Sequence, residues 1–213
     1  MLLISDIDSV LCQTAGRALR WVWDRYQISV PPSSIRRYNM EFAVAEHLRL
    51  AGIVRSPDEI SEELRLACWE NPAFFRDLEP RCEIWAALCC WQRAGLALQF
   101  QTRRVELLHN VTEAWLANHG LELHRPLAGG MKTLLMAADK ATLTRSACEH
   151  YERVIFLEDA PHHALEIAEE STAEVWVVPQ PWNQQPLVGC QRLEDEEIGR
   201  RLRQLARCDE IAA

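Results

Sequence analysis

Several things are scarce or missing in this chain, and each absence narrows the possibilities. No apolar run is long enough to span a bilayer, which excludes a transmembrane helix and argues against a membrane partner. The chain enters an apolar segment at once, with no charged leader and no small-residue cleavage site. That start predicts no secretory signal and a cytoplasmic location. The eight cysteines, Cys12, Cys68, Cys82, Cys89, Cys90, Cys148, Cys190 and Cys208, include no C-x-x-C spacing. In a chain of this length they read as reduced, mostly buried thiols, not as a disulfide framework or a zinc site. Lysine is nearly absent: Lys132 and Lys140 are the only two, so any step that needs an ammonium group has two candidates. Positive charge is short overall, with a formal net charge of −8. This argues against a nucleic-acid polymer as partner, while a single nucleotide in a local basic pocket stays possible. There is no internal repeat and no low-complexity segment.

What is present begins with the first dozen residues, Met1-Leu-Leu-Ile-Ser-Asp6-Ile-Asp8-Ser-Val-Leu-Cys12. Leu2, Leu3 and Ile4 make the short apolar run expected of a strand buried on both faces. It stops at two carboxylates one residue apart, whose side chains converge in extended backbone. Two acids at the carboxyl end of a buried strand are costly unless they are paired or hold a metal. In open α/β sheets that end is where ligands bind.

The rest of the 213 residues provides one ordinary domain with an insertion, or two small ones. From residue 13 to 75 nothing reads as a strand. Ala15 to Gln27 carries Leu19, Val22, Trp23 and Tyr26 on one helical face, Ile35 to Leu50 is a less regular helix, and Ser56-Pro-Asp-Glu59 opens a third running to about Glu70. After Pro80 helices and strands alternate. The pattern predicts strands at Leu96–Phe100, Val154–Leu157 and Glu174–Val178. It predicts helices around Ile84–Trp91, Glu106–Asn118, Lys140–His150 and Pro161–Glu170. Residues 121 to 138 are ambiguous, with a Gly129-Gly130 turn and a possible short strand at Leu121 to Leu127. The tail, Glu194 to Arg207, is a charged amphipathic helix. This order predicts an α/β fold: a Rossmann-like three-layer core with a mostly parallel sheet and an inserted all-helical cap. The expected division is a discontinuous core at 1–12 and 76–190, a cap at 13–75, and a C-terminal helical segment at 191–213 packing on the core.

Three apolar strands end in polar clusters: Asp6 and Asp8, Thr102, and Glu158-Asp159. A parallel sheet brings those ends to one edge. Such oxygen ligands suit Mg²⁺, which takes one or two carboxylates plus water and substrate phosphate. One aspartate can attack phosphorus and the second can move the proton, which requires a charged nucleophile beside a proton-carrying acid. A hydroxyl and an ammonium group are needed around the phosphoryl oxygens, and Thr102 and Lys140 fit.

In order, Asp6-Ile-Asp8, Thr102, Lys140 and Glu158-Asp159 resemble the four signatures of the haloacid-dehalogenase-like (HAD) phosphohydrolases. Residues 1 to about 185 are more narrowly similar to the 5'(3')-deoxyribonucleotidase (type C) group. That likeness includes Asn71-Pro-Ala-Phe-Phe-Arg-Asp-Leu-Glu-Pro80, Thr102-Arg-Arg104, Leu157-Glu-Asp-Ala-Pro-His162 and Gln180-Pro-Trp-Asn183. The resemblance implies a Mg²⁺-dependent phosphomonoester hydrolase that releases phosphate from nucleoside monophosphates through an aspartyl-phosphate intermediate. Asp6 would be nucleophile and Asp8 acid/base. Thr102, Arg104 and Lys140 would bind phosphate or substrate. Asp6, the Asp8 carbonyl and Asp159 would hold the metal, with Glu158 outside it or exchanging with Asp159. Lys132 rivals Lys140, and Ser9 stands where the family usually has glycine.

Bland alternatives accompany each assignment. A lone D-x-D often only caps a turn, Thr102 alone is a turn hydroxyl, and Arg104 is as readily a surface ion pair. His162 and His163 read as structural or solvent-facing. Trp21, Trp23, Tyr26, Tyr38 and Phe42 could stack on a base, although aromatic residues at helical spacing are usually core. Two rival functions remain at this level: a phosphatase for another small phosphorylated metabolite, and a catalytically quiet HAD-like binding protein.

Overall fold

A computed structural model describes residues 1–123, 125–136 and 139–212, with side chains described as far as residue 207. Six strands form one sheet in the order β3-β2-β1-β4-β5-β6, and every pairing is parallel. They are β1 (Leu2–Ser5), β2 (Ala97–Thr102), β3 (Leu134–Met136), β4 (Val154–Glu158), β5 (Glu174–Val177) and β6 (Cys190–Arg192). The helices are α1 (Thr14–Tyr26), α2 (Glu41–Leu50), α3 (Pro57–Leu64), α4 (Pro72–Arg76), α5 (Cys82–Arg93), α6 (His109–Asn118), α7 (Lys140–Cys148), α8 (Pro161–Glu170) and α9 (Asp195–Ala212).

The central strand β1 explains why the sheet has three layers. Successive side chains alternate across a strand. Leu3 enters a core shared with Leu88 and Trp91 of α5, Trp115 of α6 and Leu202 of α9. Leu2 and Ile4 enter the opposite core, with Ala141 and Ala147 of α7 and Ile167 of α8. All four residues of β1 are buried. Each large apolar side chain so buried contributes about 1.5–3 kcal/mol. The Leu3 core continues into the helical block through Leu19, Val44, Ile60 and Leu64, so α1–α3 pack on the same apolar mass as that face of the sheet. The chain leaves toward this block and returns from it side by side: Gln13 N–H donates to the Glu79 carbonyl (3.4 Å) and Arg81 N–H to the Leu11 carbonyl (2.8 Å).

Local chemistry accounts for several boundaries. Ser56 and Glu59 form a reciprocal capping box at the start of α3, with Pro57 in its first turn. That helix widens into a π-helical turn at Arg65–Trp69, short of the uniform helix expected to Glu70. The second helix begins at Glu41, not near Ile35, because Pro31 and Pro32 lead into a 3₁₀ turn, Pro32–Ser34, ahead of it. The residues described within 121–127 form no strand; the third strand is Leu134–Met136, too short to show a period. Strand β6 was not anticipated, since Cys190-Gln-Arg192 is polar and lies at the sheet edge.

The seven cysteines described are all free, but only Cys12 and Cys68 are buried; Cys82 is exposed and the others are half-buried. The expectation of mostly buried thiols therefore fails, and the Cys208 side chain lies outside those described. Among the described residues no helix is long and apolar enough to cross a membrane.

Candidate active site

The register of the sheet builds the site. Ser5 is level with Phe100 on one side and Leu157 on the other, so β1, β2 and β4 end together. Asp6 N–H still donates to the Leu157 carbonyl at 2.9 Å, which seats Asp6 beside Glu158. Oxygens of Asp6, Glu158 and Asp159 lie within 4.8 Å of one another, all buried.

Lys140 is the counter-charge. Asp139 caps α7 by accepting from Thr142 N–H at 3.1 Å, and Lys140 is the first residue of that helix. Its buried Nζ lies 3.0 Å from Asp6 Oδ2 and 2.7 Å from Glu158 Oε2. Lys132 is exposed, so Lys140 is the lysine at the carboxylates. The other Glu158 oxygen accepts from Asp159 N–H (3.0 Å) and Ala160 N–H (3.1 Å). Asp159 Oδ2 accepts from Trp182 Nε1 at 3.2 Å, and Asn183 Nδ2 donates to the Asp159 carbonyl at 2.8 Å.

Three buried carboxylates share one ammonium, and their proton affinities separate accordingly. Burial, with Glu158 and Asp8 nearby, pushes Asp6 up to about 7 against the pull of Lys140. Burial, then Glu158 and Asp6, raises Asp159 well above the carboxylate range. Burial also opposes ionisation of Glu158, but Lys140 and the Ala160 N–H hold its carboxyl below the usual value.

Asp8 faces a different set of groups. Its Oδ1 accepts from the Thr14 hydroxyl at 2.8 Å, and Arg104 holds both of its oxygens. Burial opposes ionisation, but the guanidinium and the hydroxyl win and hold the carboxyl below its ordinary value. Proton affinity is thus raised at Asp6 and lowered at Asp8, the opposite order to the charged Asp6 and proton-carrying Asp8 expected from the sequence. Arg104 itself is buried, so a surface ion pair is ruled out. It also donates to the Thr112 hydroxyl (3.0 Å) and lies 4.1 Å from the centre of the Phe75 ring. Thr102 is fully buried at the end of β2, where its hydroxyl accepts from Arg104 N–H at 3.3 Å.

A cavity of about 370 Å³ opens onto Asp8 and Asp159. Tyr38, Trp69, Phe75 and Trp182 line it with aromatic surface, and Glu41, Glu70 and Arg103 add charge. Of the cap aromatics considered from the sequence, only Tyr38 reaches this wall; its ring meets His162 edge-on at 5.1 Å and Trp182 at 6.2 Å. His163 is buried, with Glu166 3.3 Å from Nδ1 and Arg103 3.4 Å from Nε2. Sequence reasoning gave no role to Thr14, Arg103 or Trp182. Arg103 and Trp182 stand inside motifs that could have flagged them. Thr14 is joined to Asp8 only by the turn between them, which no spacing rule reports.

No protein-family model and no curated protein matches this sequence. Solved structures do. A HAD-family hydrolase from Deinococcus radiodurans R1, with bound phosphate and sodium, superposes with a TM-score of 0.58 at 17% identity over 98% of this chain and 96% of its own. CbbY from Rhodobacter sphaeroides, a variant in complex with xylulose-(1,5)-bisphosphate, does so at 0.55 and 16% over 93% and 94%. A predicted phosphoglycolate phosphatase from Haemophilus somnus 129pt reaches 0.60 at 11% over 96% and 97%. At such identities the likeness concerns the fold: along nearly its whole length this chain has the Rossmann-like α/β architecture of HAD-family hydrolases.

Proposed function

We propose that this protein is a Mg²⁺-dependent phosphomonoester hydrolase that works through an aspartyl phosphate on Asp6, with nucleoside monophosphates as substrates. The observation that carries this reading is the buried group of Asp6, Glu158 and Asp159 around Lys140 at the carboxyl edge of a parallel sheet. The donor set suits the metal. Hard carboxylate oxygens are gathered in excess of nearby positive charge, and burial beside one another pushes two of the three carboxyls toward protonation. Asp6 and Asp159 would hold Mg²⁺. Glu158 stays behind them, its oxygens taken by Lys140 and backbone N–H groups. When bound, the ion supplies charge neutralisation at the phosphoryl oxygens.

In this reading the Asp6 carboxylate attacks phosphorus and the ester oxygen leaves, taking a proton from Asp8. Water then attacks the aspartyl phosphate, Asp8 accepts its proton, and phosphate departs. The Thr102 hydroxyl and Lys140 meet the phosphoryl oxygens. Asp8 is an anion in its pair with Arg104, the form the second step needs; donating in the first step requires that pair to loosen. Because Arg104 is occupied by Asp8 and Thr112, Arg103 is the better candidate for a substrate contact. The helical block 13–75 acts as a cap that supplies Tyr38 and Trp69 to the cavity and excludes water.

The aromatic walls favour a base-bearing substrate. Glu41 and Glu70 favour a second reading, a small phosphorylated sugar, and the neighbour holding xylulose-(1,5)-bisphosphate is in keeping with it. Hydrolysis of an aryl phosphate with and without Mg²⁺ tests the core claim. Wild type is expected to turn over only with the metal, and Asp6→Asn to lose at least about 10³-fold in kcat. Equal inertness of both across broad substrates would leave a quiet binding protein. Turnover of sugar phosphates with no release from any nucleotide would replace the first reading by the second.

A further inference from the structure

Ser9 follows Asp8 directly and has φ of 59°, the left-handed region that disfavours an L side chain. Among the described residues only Gln27 shares this sign without being glycine, and Gln27 merely closes helix α1. The strained conformation at Ser9 is therefore imposed by its surroundings. Two distant side chains converge on its carbonyl: Arg81 Nη1 donates to it at 3.1 Å and Gln180 Nε2 at 2.7 Å. The remaining nitrogens of Arg81 grip Asp195, Nε to Oδ2 at 2.8 Å and Nη2 to Oδ1 at 2.7 Å. Asp195 is the first residue of α9. The Arg81 and Asp195 side chains are 15% and 24% exposed, so the pair is shielded enough to fix a guanidinium in one orientation. Gln180 belongs to a turn that also holds Asp159. Its N–H donates to Asn183 Oδ1 at 2.9 Å, and Asn183 and Trp182 donate to Asp159.

We infer that Arg81, oriented by Asp195, and Gln180 are positioning residues that clamp Ser9 in its left-handed conformation. The aspartate loop is thereby held in register with Asp159. None of the three touches a reacting atom. They act by fixing the carbonyl after Asp8, so the C-terminal helix α9 becomes a support of the site at the far end of β1. A glycine at position 9 would adopt the same φ without such a clamp. The consequence for turnover rests on the hydrolase reading; the clamp itself does not.

The test is a double-mutant cycle between Ser9→Gly and Arg81→Met, with Asp195→Asn as a milder variant that keeps the guanidinium. Two quantities are read at a temperature where all variants are folded by circular dichroism. One is hydrogen exchange by mass spectrometry over residues 7–12, and the other is kcat and KM on an aryl phosphate with Mg²⁺. Arg81→Met is expected to speed exchange in that segment about 10-fold and to lower kcat about 10-fold, with KM within about twofold. Asp195→Asn should move both partway. In the Ser9→Gly background, removing Arg81 should change either quantity less than about threefold. Lowered thermal stability with wild-type exchange and kcat would reduce Arg81 to a structural tie and overturn the inference. So would an equal effect of Arg81→Met with serine or glycine at position 9. If wild type hydrolyses no ester while the exchange cycle behaves as described, the clamp stands and the hydrolase reading falls.

Discussion

Arg104 holds both carboxylate oxygens of Asp8, Nε to Oδ2 at 2.9 Å and Nη2 to Oδ1 at 2.8 Å, across 96 residues of sequence. The guanidinium is buried and its Asp8 partner is 30% exposed, so removing one side strands a largely desolvated charge on the other. Breaking a fully buried pair costs about 3–5 kcal/mol, and the partial exposure of Asp8 brings the expectation for Arg104→Met to about 2–3 kcal/mol. Arg104→Lys keeps the charge but loses the planar two-point grip, and should fall between wild type and Arg104→Met. Urea unfolding measures both. A loss below about 0.5 kcal/mol for Arg104→Met would mean the pair contributes no more than a surface contact.

The raised proton affinity of Asp6 makes stability depend on pH in a definite direction. Its folded carboxyl titrates at about 7 and its unfolded one at 3.8, so between these values the folded state binds the extra proton. Stability from this group is then lost as pH rises through about 4 to 7. Asp159, also raised, acts with the same sign. Asp8 and Glu158, held low, act in the opposite sense at more acidic pH, as pH falls through their folded values, and His163, lowered by burial from 6.5, opposes within the window as one group against the two raised carboxyls. With a chelator present, the melting temperature should fall from about pH 4.5 to 7.5, and Mg²⁺ should restore it more at the upper end than the lower. A scanning-fluorimetry series checks this. A chelated protein whose melting point holds level or climbs over that range, unmoved by Mg²⁺, would contradict both the electrostatics and the proposed metal site.

Tyr38 separates the nucleotide reading from its rival. Its ring stands at the cavity wall, edge-on to Trp182, and 47% of the residue is exposed, so shortening it removes contact surface without opening the core. Stacking on a base is worth about 1–3 kcal/mol. Tyr38→Ala is therefore expected to raise KM for a nucleoside monophosphate about 5- to 150-fold, while kcat on a small aryl phosphate holds within about twofold. An unchanged KM across a nucleotide panel would take the base away from this wall.

Sequence pattern alone was enough for the features that depend on neighbours along the chain. The apolar run before Asp6, the capping box at Ser56 and Glu59, the proline-led helix at Pro161 and the alternation after Pro80 each reflect local preference or periodicity. That alternation entails parallel strands and a common edge for Asp6, Thr102 and Glu158. Short polar strands such as Cys190–Arg192 stayed hidden because three residues at a sheet edge carry no period. Leu134–Met136 stayed hidden for the same reason, and the possible short strand expected at Leu121 to Leu127 lies before it.

What the sequence by itself determined, then, is the α/β class, the helical block between the first two strands, and the set of acids, hydroxyl and lysine that could share an edge. Only the tertiary structure decided how those groups are paired. It put Lys140 between Asp6 and Glu158 and gave Arg104 to Asp8, so that burial keeps Asp6 high against the pull of Lys140 while the guanidinium holds Asp8 low. It also brought Arg81 and Gln180 onto the carbonyl of a left-handed Ser9 from 72 and 171 residues away. The physical reason is range. Periodicity and capping act over a few residues, whereas proton affinity and loop conformation here depend on charges and donors that only packing brings within 3 Å or so.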